Sequence, residues 1–194
     1  MIRTTRMLAV PLLLILLAGG CSMVDPIDFR GSQPELVLED YFQGPLRAWG
    51  IVQDRSGKII KQFTVDLHGE WKGEEFVLTE HFVYRDGHTD SRIWRIRKID
   101  AHHYEGRAGD VIGVAKGETW GQALHWRYTL RQPVGDTTYD LAFDDWMFLH
   151  QDGVMINRST FSKFGFRLGE VTLVFRKGDQ QPRASARSSS EATL

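Results

Sequence analysis

The stretch "KQFTVDLH", residues 61–68, sets Phe63, Val65 and Leu67 on one side of an extended chain and Thr64, Asp66 and His68 on the other. Successive strand side chains point to opposite faces, so this is the pattern of a strand with one face on a core and one in water. "ALHWRYTLR", residues 123–131, repeats it, with Leu124, Trp126, Tyr128 and Leu130 opposing His125, Arg127, Thr129 and Arg131. Around these two, runs rich in Val, Ile, Thr, Phe, Tyr and Trp are separated by "DRSG" (54–57), "HGEWKG" (68–73), "YRDGH" (84–88), "GRAGD" (106–110), "QPVGD" (132–136) and "HQDG" (150–153). Turn signals this close together, with no helical stretch between them, predict antiparallel strands joined by hairpins.

Eight to ten such strands are enough for an up-and-down sheet to close and remove its own edges. The expectation is therefore an all-β chain, an antiparallel up-and-down β-barrel of the lipocalin-like or fatty-acid-binding type; an open two-sheet sandwich is the alternative. One short N-terminal helix precedes the strands in "SQPELVLEDYFQG" (32–44), with Ser32 as cap, Pro34 in the first turn and Gly44 as stop.

Upstream, "MIRTTRMLAVPLLLILLAGG" carries Arg3 and Arg6, an apolar run from Met7 to Leu17 and then small residues, the layout of a secretory signal over residues 1–20. The apolar run falls short of the roughly 20 residues of a membrane span. "LLAGGC" (16–21) resembles a bacterial lipobox, with Ala18 where leucine is more usual. That resemblance implies cleavage before Cys21 and a diacylglyceryl group on its sulfur. Cys21 is the single cysteine, which excludes an intrachain disulfide, a cysteine nucleophile in the folded body and a cysteine zinc site. Two or more acyl chains give stable attachment without a transmembrane helix, and Ser22 after the cysteine implies sorting to the outer membrane, facing the periplasm. Residues 21–33 are read as a lipidated tether, 34–177 as the barrel domain, and the polar, Ser-rich 178–194 as a disordered tail.

The 194-residue chain has 24 basic and 25 acidic residues, and Arg3 and Arg6 would leave with the signal. A slight acidic excess, with bases alternating with acids along the strands, excludes a nucleic-acid binder. The histidines show no metal-site spacing, and neither a GxSxG elbow nor a nucleotide-binding fingerprint is present. No metal, cofactor or catalytic residue is assigned.

Charge enters the apolar pattern in "DDWMFLHQDGVMINRS" (144–159). A two-residue turn at Asp152-Gly153 pairs Gln151 with Val154 and makes Asp145 and Arg158 diagonal neighbours on one face. A three-residue turn with a bulge at Gly153 instead sets Trp146 opposite Arg158. Two readings follow: an ion cluster of Asp145 and Arg158, with Lys163 or Glu170, that fixes strand register, or a ligand-headgroup site. In the second, Asp145 and Arg158 meet the polar end of a ligand and Trp126, Tyr128 and Trp146 form its walls. Asp144 and Asp145 are adjacent on a strand and point to opposite faces, so they cannot both serve one substrate.

The stretches "YFQGPLRAWGIVQDRSGK" (41–58), "FTVDLHGEW" (63–71), "LTEHFVYRDG" (78–87), "HWRYTL" (125–130) and "FDDWMFLHQDGVMINRSTFSKFGFRLGEVTLVFRK" (143–177) resemble a family of Gram-negative lipoproteins catalogued only as a domain of unknown function. The resemblance covers nearly all of Glu39 to Lys177. It implies a lipid-anchored, lipocalin-like periplasmic domain and no activity. The expected function is binding of an apolar or amphipathic molecule, a fatty acid or lipid, with Arg158 as anchor for an acidic headgroup. The alternative is an envelope interaction or assembly protein with a filled barrel that acts through exposed aromatics such as Trp49.

Overall fold

The computed structural model describes residues 24–177. The expected signal, the expected lipidation at Cys21 and the expected tail from 178 onward fall outside the described residues. A 3-10 turn, Pro26–Phe29, and a short helix α1, Leu38–Phe42, lead into ten strands: β1 (Gly44–Asp54), β2 (Ile59–Lys72), β3 (Glu75–Tyr84), β4 (Thr89–Lys98), β5 (His103–Arg107), β6 (Val111–Trp120), β7 (Ala123–Val134), β8 (Thr137–Leu149), β9 (Met155–Lys163) and β10 (Phe166–Lys177). Each strand pairs antiparallel with the next, and β1 pairs with β10 from Leu46↔Lys177 to Asp54↔Gly169, which closes the barrel. The up-and-down expectation holds, at its upper strand number.

The alternation read from the sequence is what orients the wall. Val65 and Leu67 of β2 and Leu124, Trp126 and Leu130 of β7 are buried inside, while Asp66 and Arg127 face solvent. Among the described residues, no helix is long and apolar enough to cross a membrane.

In a meander the connections fall alternately at the two ends. The turns at 73–74, 99–102, 121–122 and 150–154 share one end with α1, which closes it. Leu36, Leu38, Tyr41 and Phe42 are buried there. The Leu36 amide donates to the Gly121 carbonyl at 2.7 Å, and the Tyr41 hydroxyl approaches the carbonyls of Gly153 and Phe175 at 3.2 and 3.3 Å. Glu39 bonds Lys98 at 2.6 Å and accepts from the Tyr104 hydroxyl at 2.9 Å.

One expectation for the N-terminal segment is corrected. The helix starts at Leu38, and Ser32 does not cap it: the Ser32 hydroxyl donates to the Phe29 carbonyl and accepts from the Gln122 amide. The segment just before it packs on the barrel. Asp25 and Asp28 form a capping box around the 3-10 turn, and Phe29 packs against Trp146 and Phe148 with ring centroids 6.0 and 5.3 Å apart. An aromatic ring covering two others buries enough apolar surface to hold a segment that has no periodicity of its own.

Candidate functional site

The barrel encloses a cavity of about 580 Å³ that runs from Leu38 and Phe42 at the closed end to Ile60, Lys61, Val134 and Gly135 at the other. Its wall is mostly apolar. Trp94 and Trp126 meet edge to face at 5.8 Å, and Trp94 meets Tyr128 at 5.4 Å. Room for the Trp126 indole comes from the neighbouring strands β6 and β5, where Gly117 and Gly106 present no side chain; a Cβ at Gly106 would lie 2.5 Å from the ring.

Into this wall the fold sets two acidic groups and one base. Asp145 points inward from β8. Its Oδ1 accepts from the Ser159 hydroxyl and its Oδ2 from the Tyr128 hydroxyl at 3.2 Å. Burial pushes its carboxyl up to about 7, against the lowering effect of Ser159, Tyr128 and the Arg92 charge. Glu80 of β3 and Arg92 of β4 are direct cross-strand partners. Arg92 grips Asp110 from the β5–β6 turn, with Nε 3.1 and 3.0 Å from the two carboxylate oxygens and Nη2 2.8 Å from Oδ2, while its Nη1 stands 3.7 Å from Glu80 Oε2. Glu80 Oε2 is buried and accepts no hydrogen bond. Burial raises the Glu80 pKa despite the Arg92 charge. For Arg92, burial acts downward, but Glu80, Tyr128 and Asp110 outweigh it and hold the guanidinium charged.

The sequence-assigned residues divide between two faces. Asp145, Trp126 and Tyr128 line the cavity. Arg158 does not: it sits on the outer surface, two-thirds exposed, bonded to Glu170 at 2.7 Å. Trp146 is also outside, stacked on His125 at 4.2 Å beneath Phe29. The cause is the turn. The His150 amide donates to the Val154 carbonyl and Gly153 takes φ +77°, so the loop has three residues and the register runs Asp145↔Ser159 and Trp146↔Arg158. The diagonal Asp145–Arg158 pairing is thereby corrected, and the bulged register is the one adopted. Asp144 lies on the face opposite Asp145, as expected, and that face is the outer one, where it shares a 3.1 Å hydrogen bond with His125 Nε2.

Of the six tryptophans only Trp94 and Trp126 line the cavity, while Trp49 is exposed outside and Trp71 is exposed at the barrel's end, its ring against Phe76. The residues missed were Glu80, Arg92 and Asp110. Their signal was legible: Glu80 falls in step with Phe76, Leu78 and Phe82, and Arg92 with Trp94 and Ile96, so both belong to the apolar face. Among the described residues, no group of three or more His, Cys, Asp or Glu is placed to hold a metal ion.

A family model described as "Protein of unknown function (DUF3833)" matches residues 14–177. No curated protein and no solved structure matches the chain.

Proposed function

We propose, from the premise that this chain belongs to the DUF3833 family, that its barrel is a binding module for an apolar or amphipathic small molecule of lipid-like size, held at the periplasmic face of the outer membrane by acyl chains on Cys21. The observation that carries the binding reading is the cavity: about 580 Å³, apolar along its length and polar at one group of side chains, within the usual range of small-molecule sites. Apolar walls supply affinity by removing ligand surface from water. Arg92, Glu80, Tyr128 and Asp145 supply orientation. The anchor reading rests on "LLAGGC" and on the single cysteine.

Native mass spectrometry of the full chain carrying Cys21→Ser, followed by solvent extraction, tests the binding reading. A co-purified or added lipid-like molecule bound at one per chain is the expected result, with a rise in unfolding free energy of about 2.7 kcal/mol at a hundred times its Kd. A chain that stays empty with fatty acids, fatty alcohols, fatty amines and phospholipids overturns it. That result would favour the interaction-protein reading, for which the exposed Trp49, Val83 and Val174 on the outer wall provide a contact surface.

A further inference from the structure

The polar group partway along the cavity has an excess of hydrogen-bond acceptors. Its donors are engaged: Ser159 and Tyr128 on Asp145, and Arg92 on Asp110 with Glu80 beside it. Its acceptors are not. An ionised carboxylate offers about four lone-pair sites. Asp145 uses two of its own, and the Glu80 carboxylate, which lines the cavity, has one oxygen that accepts nothing. Charge points the same way. Two carboxylates, Glu80 and Asp110, lie against Arg92, the one cation of this polar group, with Lys61 out at the open mouth, so the cation a ligand carboxylate or phosphate would need here is already matched.

We infer that the molecule held in this barrel presents a hydrogen-bond-donating polar end, a hydroxyl or a protonated amine, to Glu80 and Asp145, and that acidic amphiphiles are disfavoured. The inference rests on the proposed binding function and assigns the ligand's chemical class. It reverses the acidic headgroup expected when Arg158 was placed in the site: Arg158 is on the outer face, and the interior arginine is neutralised. A donor brought to Glu80 gives a hydrogen bond to a buried acceptor that otherwise has only the longer Arg92 ion pair, whereas an anion would meet the Glu80 charge in a poorly solvated space.

Dodecanol, dodecylamine and dodecanoate share one chain length and differ at the polar end, so titrating each at pH 8, above the value of about 7 to which burial pushes Asp145, into the full chain carrying Cys21→Ser separates the two claims. Binding is read by native mass spectrometry and by fluorescence of Trp94 and Trp126. The alcohol or the amine should bind at least about tenfold more tightly than the acid, since like-charge juxtaposition costs several kcal/mol. Whichever of the two leads identifies the donor. Glu80→Gln, and separately Asp145→Asn, should shrink that margin, and either folded variant suffices for the reading. Dodecanoate binding as tightly as the others, or a margin unchanged in both variants, overturns the inference and leaves the binding function standing. Failure of all three probes to bind overturns the inference, and the binding function falls with it only if phospholipids also leave the chain empty.

Discussion

Asp145 shows how one buried carboxyl couples pH to stability. Unfolded, it ionises near its ordinary value of about 3.9; folded, burial moves it up to about 7. Between those values the native state keeps a proton that the unfolded state has released, so its contribution is fully present below about pH 4 and is lost as pH rises through 7. Asp145→Asn keeps the shape, with its amide able to donate to Tyr128 and accept from Ser159. It should flatten the stability profile across that window and leave the protein on the order of 2 kcal/mol more stable than the parent at pH 8. Urea midpoints at pH 5 and pH 8 measure both effects. Arg158 offers the contrast. Its pair with Glu170 lies on the outer surface, so Arg158→Leu should change stability by less than about 1 kcal/mol and leave ligand occupancy untouched, by chemical denaturation and native mass spectrometry.

Among the elements, α1 has the most concentrated role, because five residues close one end of a ten-stranded wall. Phe42 packs edge to face on Tyr41 and Phe175 at 5.2 and 5.7 Å. Phe42→Ala should cost about 3 to 5 kcal/mol, and hydrogen exchange should show the loss of protection concentrated in the 150–154 turn and the end of β10 that Tyr41 holds. The helix was legible only loosely from sequence. Its apolar residues and the Gly44 stop are plain, but Ser32 looks like a cap and in fact ties the 3-10 turn to Gln122, a long-range contact with no local signal. The strands were far more legible, since "KQFTVDLH" and "ALHWRYTLR" declare both conformation and inward face. Between element and site the limit was turn type. Asp152-Gly153 fits a two-residue and a three-residue loop alike, and that one-residue difference moves Arg158 from Asp145 to Trp146. At "YRDGH" the information was sufficient: once β3 and β4 are taken as a hairpin, Glu80 and Arg92 fall on its apolar face.

At the scale of the molecule, the cavity is a balance between large side chains and missing ones. Trp126 leans over Gly117 and Gly106, and a methyl group at position 117 would occupy space the indole now fills. Gly117→Ala should therefore drive Trp126 toward the cavity and cost about 1 to 3 kcal/mol through overpacking. Tryptophan emission should shift and ligand capacity should fall together, and a loss of stability with unchanged binding would contradict this account. The seam between β1 and β10 has a different consequence, in time instead of space. β1 is complete by Asp54, yet the partner on its free edge begins only at Phe166, so a chain emerging from its N-terminus holds that edge unpaired until the last strand appears. Exposed strand edges recruit other strands. The protein is thus most exposed to self-association before its last strand is available, and a holding chaperone would be most useful to it in that interval.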